Sequence, residues 1–334
     1  MLMVIFGAGA SYDSAPRYRP GLHSTESRPP LADELFSLRF LSILNQFWQC
    51  KPLVPLLDVT GQNKSMEEVL ETCLSESDDD PRRHTEFMAI RHYLPRVVAD
   101  CEEKWLAQHG RITNHLTLLG RIELWRRRNN ERVCLVTFNY DTILEEALGD
   151  RFSLYVRQIG DYIQRDDYKL IKLHGSTTWF HEVISPVDLS VDDLFTKAEQ
   201  VTLGPGFAIL PPSTFGRVRV DGPALVPAVA LPVERKTTFE CPQEHLEALL
   251  SALPSVTKLI LVGWRAREQH FLDILCKSLS ASVDAIVVDK SPAHAEELVT
   301  WIRAKGVPGT FSPALLSGFT DFIISRTADS FLAR

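Results

Sequence analysis

No two of the six cysteines, Cys50, Cys73, Cys101, Cys134, Cys241 and Cys276, stand close enough in sequence to form a Cys-x-x-Cys knuckle. A structural zinc site of ordinary spacing is therefore excluded, no metal is expected, and buried or free reduced thiols are the expected state. Long apolar runs are also missing: none approaches the ~20 residues that span a bilayer. The first apolar stretch, Leu2 to Phe6, is too short for a signal peptide and leads straight into a glycine turn. No membrane association is expected, and the expected compartment is the cytoplasm. Positive charge is not in excess either. The 36 Lys and Arg against 43 Asp and Glu leave a net charge of -7, so direct nucleic-acid binding, which needs a basic surface, is not expected. The chain has no internal repeat and no low-complexity tail.

What the chain does have is 334 residues, 45% hydrophobic and 24% charged, enough for one large domain or a domain carrying an inserted lobe. Leu2-Met-Val-Ile-Phe6 reads as a strand buried on both faces of a parallel sheet. Similar strand signals follow at Val133 to Phe138, Lys169 to Leu173, Lys258 to Val262 and Asp284 to Val288. Helices are expected from Asp141 to Leu148, Arg267 to Leu279, and Pro292 to Lys305 with Gly306 as its stop. Strands alternating with helices predict an α/β fold. Helical spacing also runs over Leu31 to Trp48 and most of 50 to 128. Within it lie a capping box at Ser65-Met-Glu-Glu68 and a proline helix start after Asp78-Asp-Asp-Pro81. The expectation is a single domain over 1–334, with a helical insertion at about 45–128 and an irregular, proline-rich insertion at about 180–240. Ala15 to Pro30 reads as a mobile loop.

Short polar or glycine-bearing motifs come directly after the strand signals. They are Gly7-Ala-Gly-Ala-Ser11, Asn139-Tyr-Asp141, His174-Gly-Ser176, Gly263-Trp264 and Asp289. Ligands of an open parallel sheet sit at the carboxyl ends of its strands, so motifs far apart in sequence are expected to converge on one crevice. Each carries two readings. Gly7-Ala-Gly9 suits either a tight turn or close backbone approach to a pyrophosphate. The third glycine of GxGxxG is missing, with Tyr12 in its place, and no acidic residue ends a second strand ~20 residues on, which disfavours a dehydrogenase. Asp141 suits either a helix N-cap or a ligand group, and His174 either a structural or a catalytic role.

In order and spacing, Gly7-Ala-Gly-Ala-Ser11, Thr137-Phe-Asn-Tyr-Asp141 and Lys172-Leu-His-Gly-Ser176 resemble the SIR2-like branch related to sirtuins. Pro29-Pro-Leu-Ala-Asp-Glu-Leu-Phe36 and Gly263-Trp-Arg-Ala-Arg-Glu-Gln-His-Phe271 add to that resemblance. It implies a Rossmann-like parallel sheet with helices on both faces, and NAD as the bound substrate. Gly7, Ala8, Gly9 and Ser11 would hold the phosphates. Thr137, Asn139 and Asp141 would surround the nicotinamide and its ribose, with Ser176 among the binding residues. His174 would be the catalytic base, working with Asn139. Gly263 and Trp264 would form a later nucleotide-contacting turn, and Asp289 would meet the adenosine ribose. Three departures argue against protein deacylation. Ser14-Ala-Pro-Arg17 replaces a Gly-Ile-Pro-Asp-Phe-Arg stretch, Phe138 replaces a glutamine, and the zinc ribbon cannot be built. The expected function is that of the ribbon-lacking branch: NAD+ hydrolysis to nicotinamide and ADP-ribose in bacterial anti-phage defence. Such an enzyme would be a homo-oligomer triggered by a separate sensor such as an Argonaute or a motor ATPase. The alternatives are a non-catalytic NAD or ADP-ribose sensor, and ADP-ribosyl or acyl transfer to protein.

Overall fold

The computed structural model describes residues 1–16, 26–57, 65–75, 80–184, 191–211, 224–233, 238–280 and 282–334. Much of the loop expected over Ala15 to Pro30, and parts of the proline-rich segment, lie outside the described residues. Nine strands occur among those described: β1 (Leu2–Phe6), β2 (Val133–Thr137), β3 (Tyr168–Lys172), β4 (Gly175–Glu182), β5 (Ala208–Ile209), β6 (Leu225–Val229), β7 (Lys258–Val262), β8 (Asp284–Val288) and β9 (Thr310–Pro313).

Six of them form one sheet in the order β3-β2-β1-β7-β8-β9, every pair parallel. Numbered among themselves in chain order these strands read 3-2-1-4-5-6, the doubly wound arrangement, with its switch point between β1 and β7. The near-continuous apolar runs are explained by burial on both sides. Met3, Ile5, Cys134, Val136, Leu259 and Leu261 face a core completed by the helices Gln243–Ala252, Gln269–Ser278 and Pro292–Ala304. Leu2, Val4, Phe6, Val133, Leu135 and Ile260 face the helices Asn114–Asn129, Ile143–Phe152 and the carboxyl-terminal Phe319–Ile324. The Rossmann-like α/β sheet with helices on both faces is thus as expected. β9 has no sequence signal of its own: it is short, ends in Pro313, and survives as an edge strand because only one neighbour needs its N–H groups.

The proline-rich segment is less irregular than its composition suggests. β4, β5 and β6 form a separate antiparallel sheet in the order β5-β4-β6, and Pro227 is tolerated in β6 because that strand lies at an edge. One core holds this sheet to the helical segment. Val183 and Val226 pack with Leu35, Phe40, Leu53, Leu70, Ile90, Leu94 and Val97. Its spine is the helix Pro81–Gln108, started by Asp80, whose carboxylate accepts the Arg82 N–H at 3.1 Å. Ser65 and Glu68 make the expected reciprocal cap of the helix Met66–Ser75. Leu31 to Trp48 departs from one continuous helix. It breaks into short turns, with Phe47 outside helical geometry, because its apolar residues anchor separately on the spine helix. The helix Asn114–Asn129 packs on the main sheet and not on this third core. Among the described residues no helix is long and apolar enough to cross a membrane.

Gly175 carries the chain from one sheet to the other. Its φ is +80°, and a Cβ there would stand 1.9 Å from the Ala228 carbonyl oxygen. Gly175→Ala combines a left-handed conformation with a backbone clash and should destabilise by about 2 kcal/mol or more. Urea unfolding checks this, and an unchanged midpoint would show that the turn can shift freely.

Candidate functional site

The strand register sets where the motifs emerge. Phe6 pairs with Thr137 and with Val262, Thr137 pairs with Lys172, and Val262 pairs with Val288. The last residues of five strands therefore lie in one row. Gly7, Asn139, His174, Gly263 and Asp289 all leave the sheet within two residues of that row.

At its centre two backbone turns touch. The Gly7 N–H donates to Val262 O at 3.0 Å, the Gly9 N–H to Gly263 O at 3.1 Å, and the Gly263 N–H to Val288 O at 2.9 Å. A Cβ on Gly7 would stand 2.5 Å from Gly263 O. One on Gly9 would stand 2.8 Å from Gly263 Cα, and one on Gly263, whose φ is +59°, 2.5 Å from Ala10 N. This turn-on-turn contact is enough to require all three glycines. Ala8, by contrast, is exposed beside them.

The turn after β2 is tied onto this pair. Asn139 Nδ2 donates to Gly7 O at 2.9 Å and to Ser11 Oγ at 2.8 Å. The Ser11 hydroxyl donates to Asp141 Oδ2 at 2.6 Å, and Thr137 Oγ1 accepts the Asn139 N–H at 3.1 Å. Asp141 sits one residue before the N-cap position, which Thr142 holds, yet its Oδ1 accepts the Ile143 N–H at 3.3 Å. Lys172, fully buried, donates to the Asp141 carbonyl and pairs with Glu145 at 2.9 Å. Glu102 reaches in from the spine helix. Its two oxygens accept the Thr142 N–H at 3.1 and 3.0 Å, and one accepts the Thr142 hydroxyl at 2.5 Å. Burial, reinforced by the neighbouring Asp141, pushes the Glu102 carboxyl up to about 8. Burial also raises Asp141, opposed by the Lys172 ammonium.

His174 joins the group through Phe138. Its ring meets Phe138 edge-on at 4.9 Å, and Phe138 stacks on Trp264 at 5.3 Å. The His174 carbonyl accepts the Ala230 N–H at 3.0 Å, while the Glu240 N–H donates to Leu173 O at 3.0 Å. Glu240 in turn meets His181 at 2.6 Å and Arg91 at 3.7 Å. Burial alone would raise the Glu240 carboxyl, but these two partners hold it below its usual range. The Trp264 side chain is 2% exposed and its indole N–H donates to Glu268 at 2.8 Å. Its side chain belongs to the core. Ser176 is also fully buried, with its hydroxyl 3.4 Å from Tyr140 O. Asp289 is half-buried at the far side and accepts the Lys290 N–H at 2.6 Å.

The structure therefore brings Gly7, Gly9, Ser11, Thr137, Asn139, Asp141 and Gly263 into one contact network, with His174 attached across Phe138. Ser176 and Asp289 lie to either side. Glu102, Thr142, Glu145, Arg91 and Glu240 were not anticipated. Lys172, a lysine closing a buried strand, was the one visible hint of a charge partner. A cavity of about 420 Å³ lies elsewhere, lined by Tyr155, Arg157, Arg165, Tyr168 and Lys169, and includes none of these groups.

A carboxyl whose folded value lies above its unfolded one favours the fold while protonated. Glu102 thus supports stability fully at acid pH and loses that support as pH rises toward about 8. Glu102→Gln keeps an acceptor for Thr142 and cannot ionise. Its melting temperature should fall less than that of the wild type between about pH 5 and pH 8. Identical slopes in thermal melts would show that Glu102 does not titrate in that window.

Comparison with known proteins finds no curated protein that matches the chain. Among solved structures, Sir2Tm bound to a propionylated peptide aligns over 99% of this chain and 94% of that one, with 12% identity and a TM-score of 0.37. Sir2 bound to an acetylated peptide aligns over 99% and 94%, with 12% identity and a TM-score of 0.39. Likeness this weak carries no argument. The SIR2-like domain family matches residues 133–307, more than half of the chain and the stretch that holds Asn139, His174 and Gly263. The protein belongs to the SIR2-like domain family.

Proposed function

We propose that this protein hydrolyses NAD+ at the nicotinamide–ribose bond, releasing nicotinamide and ADP-ribose. The observation that carries the reading is the tie from Asn139, in the SIR2-like domain, to the Gly7 turn, with His174 nearby just past the end of the adjacent strand. Such a site has little acid catalysis to do, because a pyridinium leaves as neutral nicotinamide and the barrier lies in the cationic ribose that develops. The site must stabilise that charge and aim one water.

Both amide protons of Asn139 are committed, to Gly7 O and Ser11 Oγ, which leaves its oxygen to orient a water or a ribose hydroxyl. His174 accepts the proton from that water or hydroxyl. Gly7, Ala8 and Gly9, at the switch point, face the pyrophosphate, and Asp289 meets the adenosine ribose. Phe138, held between His174 and Trp264, gives the site an apolar wall. The remaining elements of the proposal are that the enzyme acts in the cytoplasm as an oligomeric defence effector, with a separate sensor protein switching it on.

His174→Ala should lower nicotinamide release by about 10²–10⁴-fold with the fold retained, as expected for loss of a general base. Asn139→Ala should do the same with a lower melting temperature, since it also removes two buried hydrogen bonds. Nicotinamide is measured from NAD+ with and without candidate partner proteins, and circular dichroism reads the fold. Full activity in both variants would refute the assignment. Wild-type protein that binds ADP-ribose yet releases no nicotinamide under any condition would mark a sensor.

A further inference from the structure

The helix Pro81–Gln108 buries Ile90, Leu94, Val97 and Cys101 at the centre of the lobe core. Arg91, Glu102 and Trp105 line the adjoining edge of that buried face. At 3.6 residues per turn these three fall within about 60° of one another around the axis. Each grips a different loop of the crevice. Trp105 Nε1 donates to Ser14 Oγ at 2.9 Å, beyond the glycine turn after β1. Glu102 holds Thr142 by its N–H and hydroxyl, in the turn after β2. Arg91 donates to Val229 O at 3.3 Å and pairs with Glu240 at 3.7 Å, in the two segments whose backbones frame His174 after β3.

Glu102 has the tightest of these grips. It is 6% exposed, and Thr142, at the N-cap position of Ile143–Phe152, makes no side-chain cap of its own. The hydroxyl that would cap the helix is committed to Glu102 instead. Thr142 is three residues from Asn139, and Asp141 between them carries the bond to Ser11.

We propose that the helix Pro81–Gln108 is the lever by which the helical lobe sets the activity of the crevice, and that Glu102 is its positioning residue, holding Thr142 and through it the Asn139 turn. This rests on the hydrolase reading above. A trigger acting on the lobe would reach all three loops through one continuous helix, whose interior Pro95 separates Arg91 from Glu102 and Trp105.

The test compares Glu102→Ala, Glu102→Gln and wild type in NAD+ hydrolysis and in hydrogen–deuterium exchange of the amides from 138 to 143. Glu102→Ala should lower kcat by about 10²-fold, the effect of misplacing a catalytic group by an ångström, with KM changed by less than about threefold. Glu102→Gln, which keeps an acceptor for Thr142, should restore most of the loss. Exchange over 138 to 143 should quicken by about tenfold in Glu102→Ala alone. The proposal is overturned if Glu102→Ala keeps its kcat, if Glu102→Gln falls as far as Glu102→Ala, or if exchange does not change. Should Glu102→Ala fail to fold, Thr142→Val reads the same contact from the other side: a reduced kcat at unchanged KM supports the proposal, and wild-type kinetics overturn it. If wild type releases no nicotinamide, the hydrolase reading fails, and the exchange result alone decides whether Glu102 positions the turn.

Discussion

Two backbone turns pressed together without side chains between them are the constraint from which the rest of this site follows. Gly7 and Gly9 on one side and Gly263 on the other close the gap between β1 and β7, where the winding of the sheet reverses. Their contact exposes the Gly7 carbonyl to the neighbouring loop, and that carbonyl is what Asn139 binds. A Cβ at any of the three would push the turns apart and take the acceptor out of reach. The glycines thus serve packing and the placement of Asn139 together.

Around that contact lies a buried group of charges in unequal number. Glu102, Asp141 and Glu145 are close enough to act on one another, and Lys172 donates to the Asp141 carbonyl and pairs with Glu145. Three carboxylates about one ammonium would leave net negative charge in a region poorly reached by water, which is costly unless a proton is retained. Burial raises both Glu102, to about 8, and Asp141, which favours retention of a proton by this pair of carboxyls. The hydrogen bonds then act as fasteners: each joins residues far apart in sequence, Ser11 to Asp141 and Glu102 to Thr142, so the loops hold one another in place. Satisfied networks of this kind specify one arrangement more than they add stability.

Legibility in the sequence followed burial. β1, β2, β7 and β8 are covered on both faces and show as apolar runs, placed to within a residue. β4, β5, β6 and β9 lie at edges or in the small sheet, where prolines and polar residues are tolerated, and their signal was lost. The helix expected over Leu31 to Trp48 failed for a related reason: apolar spacing shows that residues are buried, not that they are buried along one straight axis. Asn139, His174 and the glycines stood out because they directly follow strands. Trp264 stood in the same kind of place and proved to be core, since position after a strand says nothing of which way a side chain turns.

By itself the sequence determined the alternation of strands and helices, the parallel sheet, and the edge at which the motifs would gather, because periodicity and strand-end position are local properties. Only the tertiary structure decided which groups meet there. Glu102 lies 40 residues from its partner Thr142 on a helix of another lobe, and Gly7 meets Gly263 across most of the chain. Hydrogen bonds and close contacts depend on distances in space, and no spacing in the sequence encodes them.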